Sequence, residues 1–409
     1  MQSNPVFTPY IFPNGTEVKN RIVKASMEEN MSNAQLLPSD ELINLYDTWA
    51  NGGTGLLLTG NVMIDRKAMT GPGGVVLEAD TPIEKFQRWA KAAKQNNTKV
   101  WMQINHPGRQ VYAKMKGKVY SPSDVALSMG KHSTLFGKPS PMTIAQIEDV
   151  ITRFGDTAEQ AQSAGFDGVE IHAAHGYLIA QFLSPLVNKR KDQWGGSLEN
   201  RAKLLISVVK EIKRRTHEDF SVGVKINSAD FQRGGFDIDD AIDVIKMLEP
   251  LNIDLVELSG GSYEAPAMQG VTADGRSLAR EAYFLSFAQK IADTTCIPVM
   301  TTGGIRRLPV AEGVLAKGVK LVGIATGLAM EPNLPRKWQD EPMFSASHPV
   351  VTWKNKVLKA LAIMAIVKLN LRRVGKGKKA KARASALLTL LVDQIRAAKL
   401  TKRYLREHN

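Results

Sequence analysis

Eight short runs of β-branched and aliphatic residues recur along the chain, and a helical pattern follows each of them. Parallel strands need a crossover connection, so this alternation predicts a parallel sheet whose strands are joined by helices. Eight repeats are typical of a closed (β/α)8 TIM barrel, an α/β fold. The predicted strands are Arg21–Met27, Gly55–Ile64, Lys99–Asn105, Gly168–Ala174, Ser221–Asn227, Leu255–Gly260, Pro298–Gly304 and Leu321–Ala325.

Turn and cap residues indicate further element boundaries. Asn14 and Gly15 lie between two short apolar runs, which predicts an N-terminal β-hairpin before the first strand. Four helix starts carry a capping residue, and in the first two a Glu or Gln follows three residues later to complete a capping box. The predicted N-caps are Thr81, Thr143, Ser197 and Asp237.

The net charge of +14 is concentrated at the C-terminal end of the chain. Of the 54 Lys+Arg and 40 Asp+Glu residues, 16 and 2 lie in positions 351–409, so positions 1–350 contain 38 of each. This break predicts a barrel domain over residues 1–349 and a basic helical C-terminal extension over residues 350–409. The predicted helices of the extension are Trp353–Val367 and Ala384–Leu405, with a Gly- and Lys-rich break from Arg372 to Arg383.

The second of these helices carries an apolar face that predicts packing against another surface. Its members are Leu387, Leu388, Leu391, Ile395 and Leu400. The basic residues of the extension have two interpretations. They bind an anionic lipid or nucleic-acid surface, or they are solvated or paired across the interface of a homo-oligomer. We favour the second interpretation, because no aromatic residues are interleaved for base stacking.

Several protein classes are excluded by composition. The single cysteine, Cys296, excludes disulfides, Cys-ligated zinc and iron–sulfur clusters. No run approaches the roughly 20 apolar residues of a membrane span, and the N-terminus has no basic-then-apolar signal pattern. We therefore expect a cytoplasmic protein with no metal site.

Function is expected at the C-terminal ends of the strands, where TIM barrels hold their sites. About 37 residues, from Asn105 to Met142, separate the third strand from its helix, and a loop of that length is usually a functional lid. His172, His175 and Tyr177 follow the fourth strand. Two imidazole N–H groups can bind a carbonyl or nitro oxygen, and a phenol can supply a proton. The competing interpretation is a structural or metal-binding histidine pair, although no third metal ligand lies nearby.

Two further features indicate an anionic cofactor. Gly303 and Gly304 follow the seventh strand, and Ala325 and Thr326 follow the eighth, where barrels often bind phosphate through backbone N–H groups. Lys225, at the end of the fifth strand, needs an anionic partner. That partner is either the N1–C2 carbonyl edge of a flavin or a carboxylate inside the barrel.

Several long motifs resemble the Old Yellow Enzyme family of NADH:flavin oxidoreductases, in its short single-barrel form without an iron–sulfur cluster. The resemblance covers roughly residues 5 to 335. The segments that carry it are 18–27, 103–110, 165–178, 182–185, 194–201 and 222–225.

The resemblance implies an ene-reductase. Such an enzyme uses FMN to transfer hydride from NADH or NADPH to the C=C bond of an α,β-unsaturated acceptor. It implies that Ser26, Met27 and Glu28 line the flavin, that Gly60 packs beside it, and that Gln103 and Lys225 contact its pyrimidine edge. The backbones of Gly303, Gly304, Ala325 and Thr326 would hold the phosphate. His172 and His175 would bind the acceptor oxygen, and Tyr177 would be the proton donor.

The chain departs from the family pattern at three positions. Glu28 replaces a threonine or cysteine and would repel electron density on a reduced flavin unless it is protonated or turned away. Lys225 replaces an arginine, and Thr326 replaces a phosphate-binding arginine, for which Arg306 or Arg307 would have to compensate. Two alternatives to the reductase remain open at this stage. They are a non-catalytic binding barrel and, less favoured, an RNA-modifying flavoenzyme, which would need a cysteine acid close to the site.

Overall fold

The computed structural model describes residues 4–267, 281–381 and 383–408. Its strands are β1 (Tyr10–Ile11), β2 (Glu17–Val18), β3 (Ile22–Lys24), β4 (Leu56–Leu58), β5 (Val62–Met63), β6 (Lys99–Asn105), β7 (Tyr120–Ser121), β8 (Ser140–Pro141), β9 (Gly168–Ala173), β10 (Ser221–Asn227), β11 (Leu255–Ser259), β12 (Val299–Thr301) and β13 (Leu321–Ile324).

The helices lie mainly between the strands of the barrel. They are α1 (Asp40–Asn51), α2 (Glu84–Ala93), α3 (Ile144–Ser163), α4 (Leu178–Leu183), α5 (Leu198–Arg215), α6 (Ile238–Leu248), α7 (Leu285–Ala292), α8 (Leu308–Leu315), α9 (Thr326–Met330), α10 (Leu334–Asp340), α11 (Lys356–Gly375) and α12 (Ala386–His408).

Eight parallel strands form a closed ring in the order β3, β4, β6, β9, β10, β11, β12, β13, with β13 paired to β3. The predicted (β/α)8 barrel is therefore confirmed. The predicted second strand is too long, because the regular strand ends at Leu58 and pairing resumes only at β5. Between them, a Cβ on Gly60 would collide with Glu29 and with the carbonyl of Met27, so the chain passes this point only as glycine.

The predicted hairpin is confirmed and lies against the lower end of the barrel. Its strands β1 and β2 are antiparallel, and Phe12 beside them is buried against Trp101, with ring centroids 4.9 Å apart. Phe12 and Val18 belong to one apolar cluster with strand residues of the barrel interior. The hairpin therefore fills the end of the barrel opposite the expected site.

Three of the four predicted helix caps are confirmed, and one is wrong. Thr143 forms a capping box with Gln146, and Ser197 and Asp237 each accept a backbone N–H of their helix. At α2 the N-cap is Ile83, which makes no side-chain cap bond. The Thr81 hydroxyl instead accepts the N–H of Glu78, so it stabilises the preceding turn.

The extension consists of two long helices, and its first helix is longer than predicted. Helix α11 continues through the predicted break to Gly375, because Leu371 and Val374 are buried on its side facing α1. The connecting segment, which includes Ala382 outside the described residues, then runs back along α11. Asn370 is fully buried and accepts the Lys381 N–H at 2.6 Å. Helix α12 consequently runs beside α11 in roughly the same direction.

The predicted packing of the apolar face of α12 is wrong in this single chain for four of its five residues, whereas Leu400 is half-buried beside Gly73. Leu387, Leu388, Leu391 and Ile395 are each more than half exposed. Helix α12 is held instead by Tyr404, whose hydroxyl donates to the Arg66 carbonyl at 2.6 Å, and by Arg403, which donates to the Asn33 carbonyl at 2.9 Å. None of the helices in the described part of the chain combines the length and apolar character that a membrane span needs.

Replacing Asn370 with alanine is expected to loosen the extension. The change removes the oxygen that accepts the Lys381 N–H at a partly buried position, and the loss of such a hydrogen bond costs about 0.5–1.5 kcal/mol. We expect a lower free energy of unfolding in urea and faster tryptic cleavage between α11 and α12. The exposed Gln394→Ala variant in α12 is the control and should behave like the wild type. Equal cleavage rates in the two variants would contradict this role of Asn370.

Candidate active site

A layer of polar side chains crosses the barrel just below its C-terminal opening. Lys225 of β10 forms an ion pair with Glu257 of β11, with Nζ and Oε1 2.7 Å apart. Gln103 of β6 donates from Nε2 to Glu170 of β9 at 2.6 Å. Burial raises the pKa of Glu170 well above its usual range, and the charge of Glu257 raises it further. Burial and the charge of Glu257 therefore both favour the neutral acid form of Glu170 in this layer.

Of the two predicted partners of Lys225, a flavin edge or a carboxylate, the structure shows the carboxylate of Glu257. An ammonium group has three donors, so Glu257 alone does not saturate Lys225. Glu170 and Glu257 were not among the predicted site residues, although each is a charged residue within a buried strand, which is a recognisable signal.

Ser26 and Gln103 meet in the same layer. The Ser26 hydroxyl lies 2.7 Å from Gln103 Oε1 and 2.6 Å from the Thr59 carbonyl oxygen. Gly60 is adjacent, and its N–H donates to Tyr46 and to Glu29. Met27 is half-buried and packs on the main core. The strand ends thus bring the predicted flavin residues of β3, β4 and β6 together.

Glu28 lies toward the lid and the extension. Its Oε1 accepts the Thr70 hydroxyl at 2.7 Å, and its Oε2 is 3.7 Å from Lys368 Nζ of α11. No local pattern indicates Lys368 as a site residue, because the contact depends on where the extension docks. The cation offsets the charge that we expected to repel a reduced flavin.

The glycine loops after β12 and β13 have backbone conformations that favour glycine. Gly303 and Gly304 have φ values of +123° and +73°. A Cβ on Gly303 would lie 3.0 Å from the backbone nitrogen of Tyr283, so the loop leaves no room for a side chain there. Ala325 is the N-cap of α9, and Thr326 is its first residue. Arg306 and Arg307 both contact Glu281, so neither guanidinium is uncommitted.

His172 and His175 lie together at the end of β9, with ring centroids 4.9 Å apart. The Nδ1 atom of His172 accepts the Ala174 N–H at 3.2 Å, which leaves the ring proton on Nε2 as a donor. His175 has a left-handed backbone, with φ +60°, and its N–H donates to Asn227 Oδ1. Its Nε2 is 2.7 Å from the Ser259 hydroxyl, so Ser259 fixes the ring and influences its tautomer.

Tyr177 packs edge-on against His172, with ring centroids 4.7 Å apart. Its hydroxyl lies 3.1 Å from the hydroxyl of Tyr263, on the loop after β11. Burial raises the pKa of Tyr177, and the charge of Glu28 raises it further, so the phenol keeps its proton at neutral pH. Tyr263 was not among the predicted site residues, because nothing local to its loop indicates this contact.

The long loop after β6 forms a wall of this site. Phe136 stacks on Tyr112 with centroids 4.9 Å apart and also contacts Tyr263. Arg109 at the start of the loop forms a buried ion pair with Glu264, at 2.6 Å, which ties the lid to the loop after β11. The lid is therefore anchored beside the two tyrosine hydroxyls.

The residues of this layer are suited to bind FMN. Gln103 and Lys225 can contact a polar ring edge, and the Gly303–Gly304 loop can admit a phosphate to its backbone N–H groups. Gly60 lets the chain pass close to Glu29 and to the Met27 carbonyl at this layer, where a Cβ would collide.

Comparison with known proteins agrees with this chemistry. The profile of the NADH:flavin oxidoreductase / NADH oxidase family matches residues 5–342. A relative is the NADH-dependent flavin oxidoreductase of Hypocrea jecorina, 37% identical over 79% of this chain and 86% of that protein. Another is the NADH:acrylate oxidoreductase of Vibrio harveyi, 31% identical over 80% of this chain but only 32% of that protein. The Old Yellow Enzyme homologue of Zymomonas mobilis has a TM-score of 0.70 at 22% identity, covering 83% of this chain and 94% of that one, and supports the fold.

Histidine burial predicts a loss of stability in acid. Burial lowers the pKa of His106 to about 4, so the unfolded chain takes up this proton first as the pH falls. The contribution of the neutral His106 to the unfolding free energy is fully present above the ordinary histidine pKa of about 6.5. It is lost as the pH falls from there toward about 4, at up to about 1.4 kcal/mol per pH unit.

Between pH 6.5 and pH 5, the unfolding free energy of the wild type should fall by about 1–2 kcal/mol more than that of His106→Gln, as measured in urea. The exposed His217→Gln variant should retain the wild-type slope. An unchanged slope in His106→Gln would show that this imidazole is not buried and neutral.

Proposed function

The chain belongs to the NADH:flavin oxidoreductase / NADH oxidase family, and from this membership we propose that it reduces the C=C bond of an α,β-unsaturated carbonyl or nitro compound. The family match confirms the predicted resemblance to Old Yellow Enzyme. It also confirms that the chain is an enzyme, with FMN as its cofactor and NAD(P)H as its hydride donor. The enzymatic character of its relatives disfavours the non-catalytic barrel. The acrylate activity named for the Vibrio relative is a further case of C=C reduction and supports the proposal.

One observation carries the proposal. The Nε2–H of His172 and the hydroxyl of Tyr177 belong to rings in edge-on contact at the barrel opening, and His172 is the direct neighbour of Lys225 on the adjacent strand. A donor for a developing oxyanion and an acid for the adjacent carbon are thus next to each other. Bound FMN supplies hydride transfer from NAD(P)H to the acceptor, and all other steps belong to the protein.

His172 donates to the carbonyl or nitro oxygen, which gains negative charge when the β-carbon receives hydride. His175 supports this interaction, since Ser259 and Asn227 hold its ring and backbone in place. Both histidines are neutral, because burial lowers their pKa values well below the usual range and the charge of Lys225 contributes. The oxygen is therefore bound by hydrogen bonds rather than by a full positive charge.

Tyr177 donates its proton to the α-carbon of the acceptor. Tyr263, 3.1 Å away, can orient this hydroxyl and return a proton to it from the loop after β11. Tyr112 and Phe136 limit the space above, so the lid is expected to shape substrate choice. Cys296 is exposed and precedes β12, at the opposite end of the barrel from the site, which disfavours the RNA-modifying alternative.

The extension and the assembly remain predictions. The division into a barrel of residues 1–349 and an extension of residues 350–409 would place the boundary in the segment between α10 and α11. A homo-oligomer would be compatible with the exposed leucines of α12.

Tyr177→Phe is expected to slow acceptor reduction by about 100-fold or more, the usual contribution of a positioned acid. Flavin reduction by NADH should stay within about twofold of wild type, because that step needs no proton from the phenol. Stopped-flow absorbance separates the two half-reactions, with 2-cyclohexen-1-one as acceptor. Tyr10→Phe in the hairpin is the matched control.

Tyr263→Phe extends the same experiment. It should slow only acceptor reduction, to a smaller extent than Tyr177→Phe, because the acid remains but loses its partner. Equal slowing of both half-reactions in Tyr177→Phe would remove it as the acid.

His172→Ala is expected to weaken the binding of p-hydroxybenzaldehyde to the FMN-bound enzyme by about 10-fold or more, since a buried hydrogen-bond donor is lost. His175→Ala should weaken it less, because Ser259 already engages its Nε2. Long-wavelength absorbance on titration reports the affinity, and His217→Ala is the control. Wild-type affinity in His172→Ala would disprove oxygen binding by this ring.

A further inference from the structure

A cationic cleft lies between α11, α12 and the loop after β3. Two adjoining cavities form it, of about 520 and 310 Å³, and they share Arg372, Lys376, Arg396 and Leu400 as lining residues. The basic side chains of the larger cavity are Arg372, Arg373, Lys376, Lys378, Arg396 and Lys399, and Arg403 lines the smaller one.

Few carboxylates balance these charges. Asp393 pairs with Arg372 at 3.2 Å, and Glu41 lines the smaller cavity. Arg396 is largely enclosed, and burial followed by the charge of Arg372 lowers its pKa. Its guanidinium donates to the Asn30 carbonyl at 3.0 Å, but its buried Nε has no hydrogen-bond partner among the described residues. Like charges held this close are costly unless an anion joins them.

The cleft also has an apolar part. Leu369, Val392, Ile395 and Leu400 contribute to the lining of the larger cavity. A small inorganic anion would leave these side chains unused. The lining therefore matches a ligand that carries both phosphates and a flat or aliphatic group.

A line of cations joins this cleft to the active site. Lys368 and Arg372 lie one turn apart on one side of α11, and Lys376, the C-cap residue four positions further on, follows at the end of the helix. Lys368 contacts Glu28 at the barrel opening, and Lys376 is about 12 Å further along the helix axis. A ligand with phosphates in the cleft can therefore extend its other end into the opening.

We propose that this cleft binds the adenosine phosphates of an elongated substrate whose reactive end lies at the barrel opening. Two substrates share this chemistry, namely the nicotinamide dinucleotide that donates hydride and an acceptor esterified to coenzyme A. The inference rests on the proposed function for the position of the reactive end. It gives the basic extension a role in substrate binding within the same chain.

The test compares two double charge reversals in the FMN-bound enzyme. Lys376→Glu/Lys399→Glu alters the cleft, whereas Lys354→Glu/Lys402→Glu changes the net charge equally outside the cavity lining. All four lysines are exposed and form no ion pair with another described residue, so folding should be preserved. Circular dichroism and thermal unfolding check this, and Lys376→Gln/Lys399→Gln provides a milder change with an intermediate effect.

Isothermal titration calorimetry measures binding of ADP-ribose, 2′-phospho-ADP-ribose and coenzyme A. We expect at least one probe to bind the wild type and to bind the cleft variant about 10-fold or more weakly, with the control within about twofold. Binding of the ribose probes identifies the hydride donor as the ligand, and binding of coenzyme A identifies a thioester acceptor. For the matching substrate, KM should rise in the cleft variant with kcat nearly constant.

Three outcomes would overturn the proposal. They are no binding of any probe, equal weakening in the cleft and control variants, and binding only to phosphatidylserine vesicles, which would assign the charge to a membrane. Failure of the proposed function can be distinguished from these three outcomes. It would appear as no reduction of 2-cyclohexen-1-one by the dithionite-reduced wild type and control, a reaction that needs no nucleotide.

Discussion

The pairing of β4 with β6 closes the parallel sheet into a ring, and the arrangement of the site depends on this closure. Because all eight strands run in the same direction, their C-terminal ends meet at one opening. Residues far apart in sequence, such as Ser26, Gln103 and Glu170, therefore reach the same layer. The N-terminal hairpin fills the other end with Phe12 and Val18, so the barrel has one accessible polar end.

The buried charges of the barrel lie in the polar layer below its opening. A buried ion pair such as Lys225–Glu257 seldom stabilises a fold more than apolar residues of the same size would, because both charges lose their hydration. Its presence is better explained by ligand binding. Burial and the charge of Glu257 raise the pKa of the neighbouring Glu170, which favours its neutral form in this layer.

The extension forms part of the opening. Helix α11 brings Lys368 to Glu28, and α12 binds the loops after β3 and β5 through Arg403 and Tyr404. Its basic residues therefore have a structural setting that net charge alone does not reveal. The same docking explains why the leucine face of α12 is exposed, since polar contacts and Tyr404 hold the helix while the leucines point away from the barrel.

The sequence by itself determined the fold class, the order of the eight strands and the grouping of His172, His175 and Tyr177. These features depend on local periodicity and on the direction of parallel strands, and both can be read along the chain. Family membership followed from long local motifs for the same reason. The tertiary structure decided the contacts between distant segments. Tyr263 meets Tyr177, Glu257 meets Lys225 and Lys368 meets Glu28 only after loops and helices have docked. It also decided the end of α11, because burial of Leu371 and Val374 outweighs the Gly- and Lys-rich composition that predicted a break. Such contacts depend on packing across the whole molecule, which no local pattern encodes.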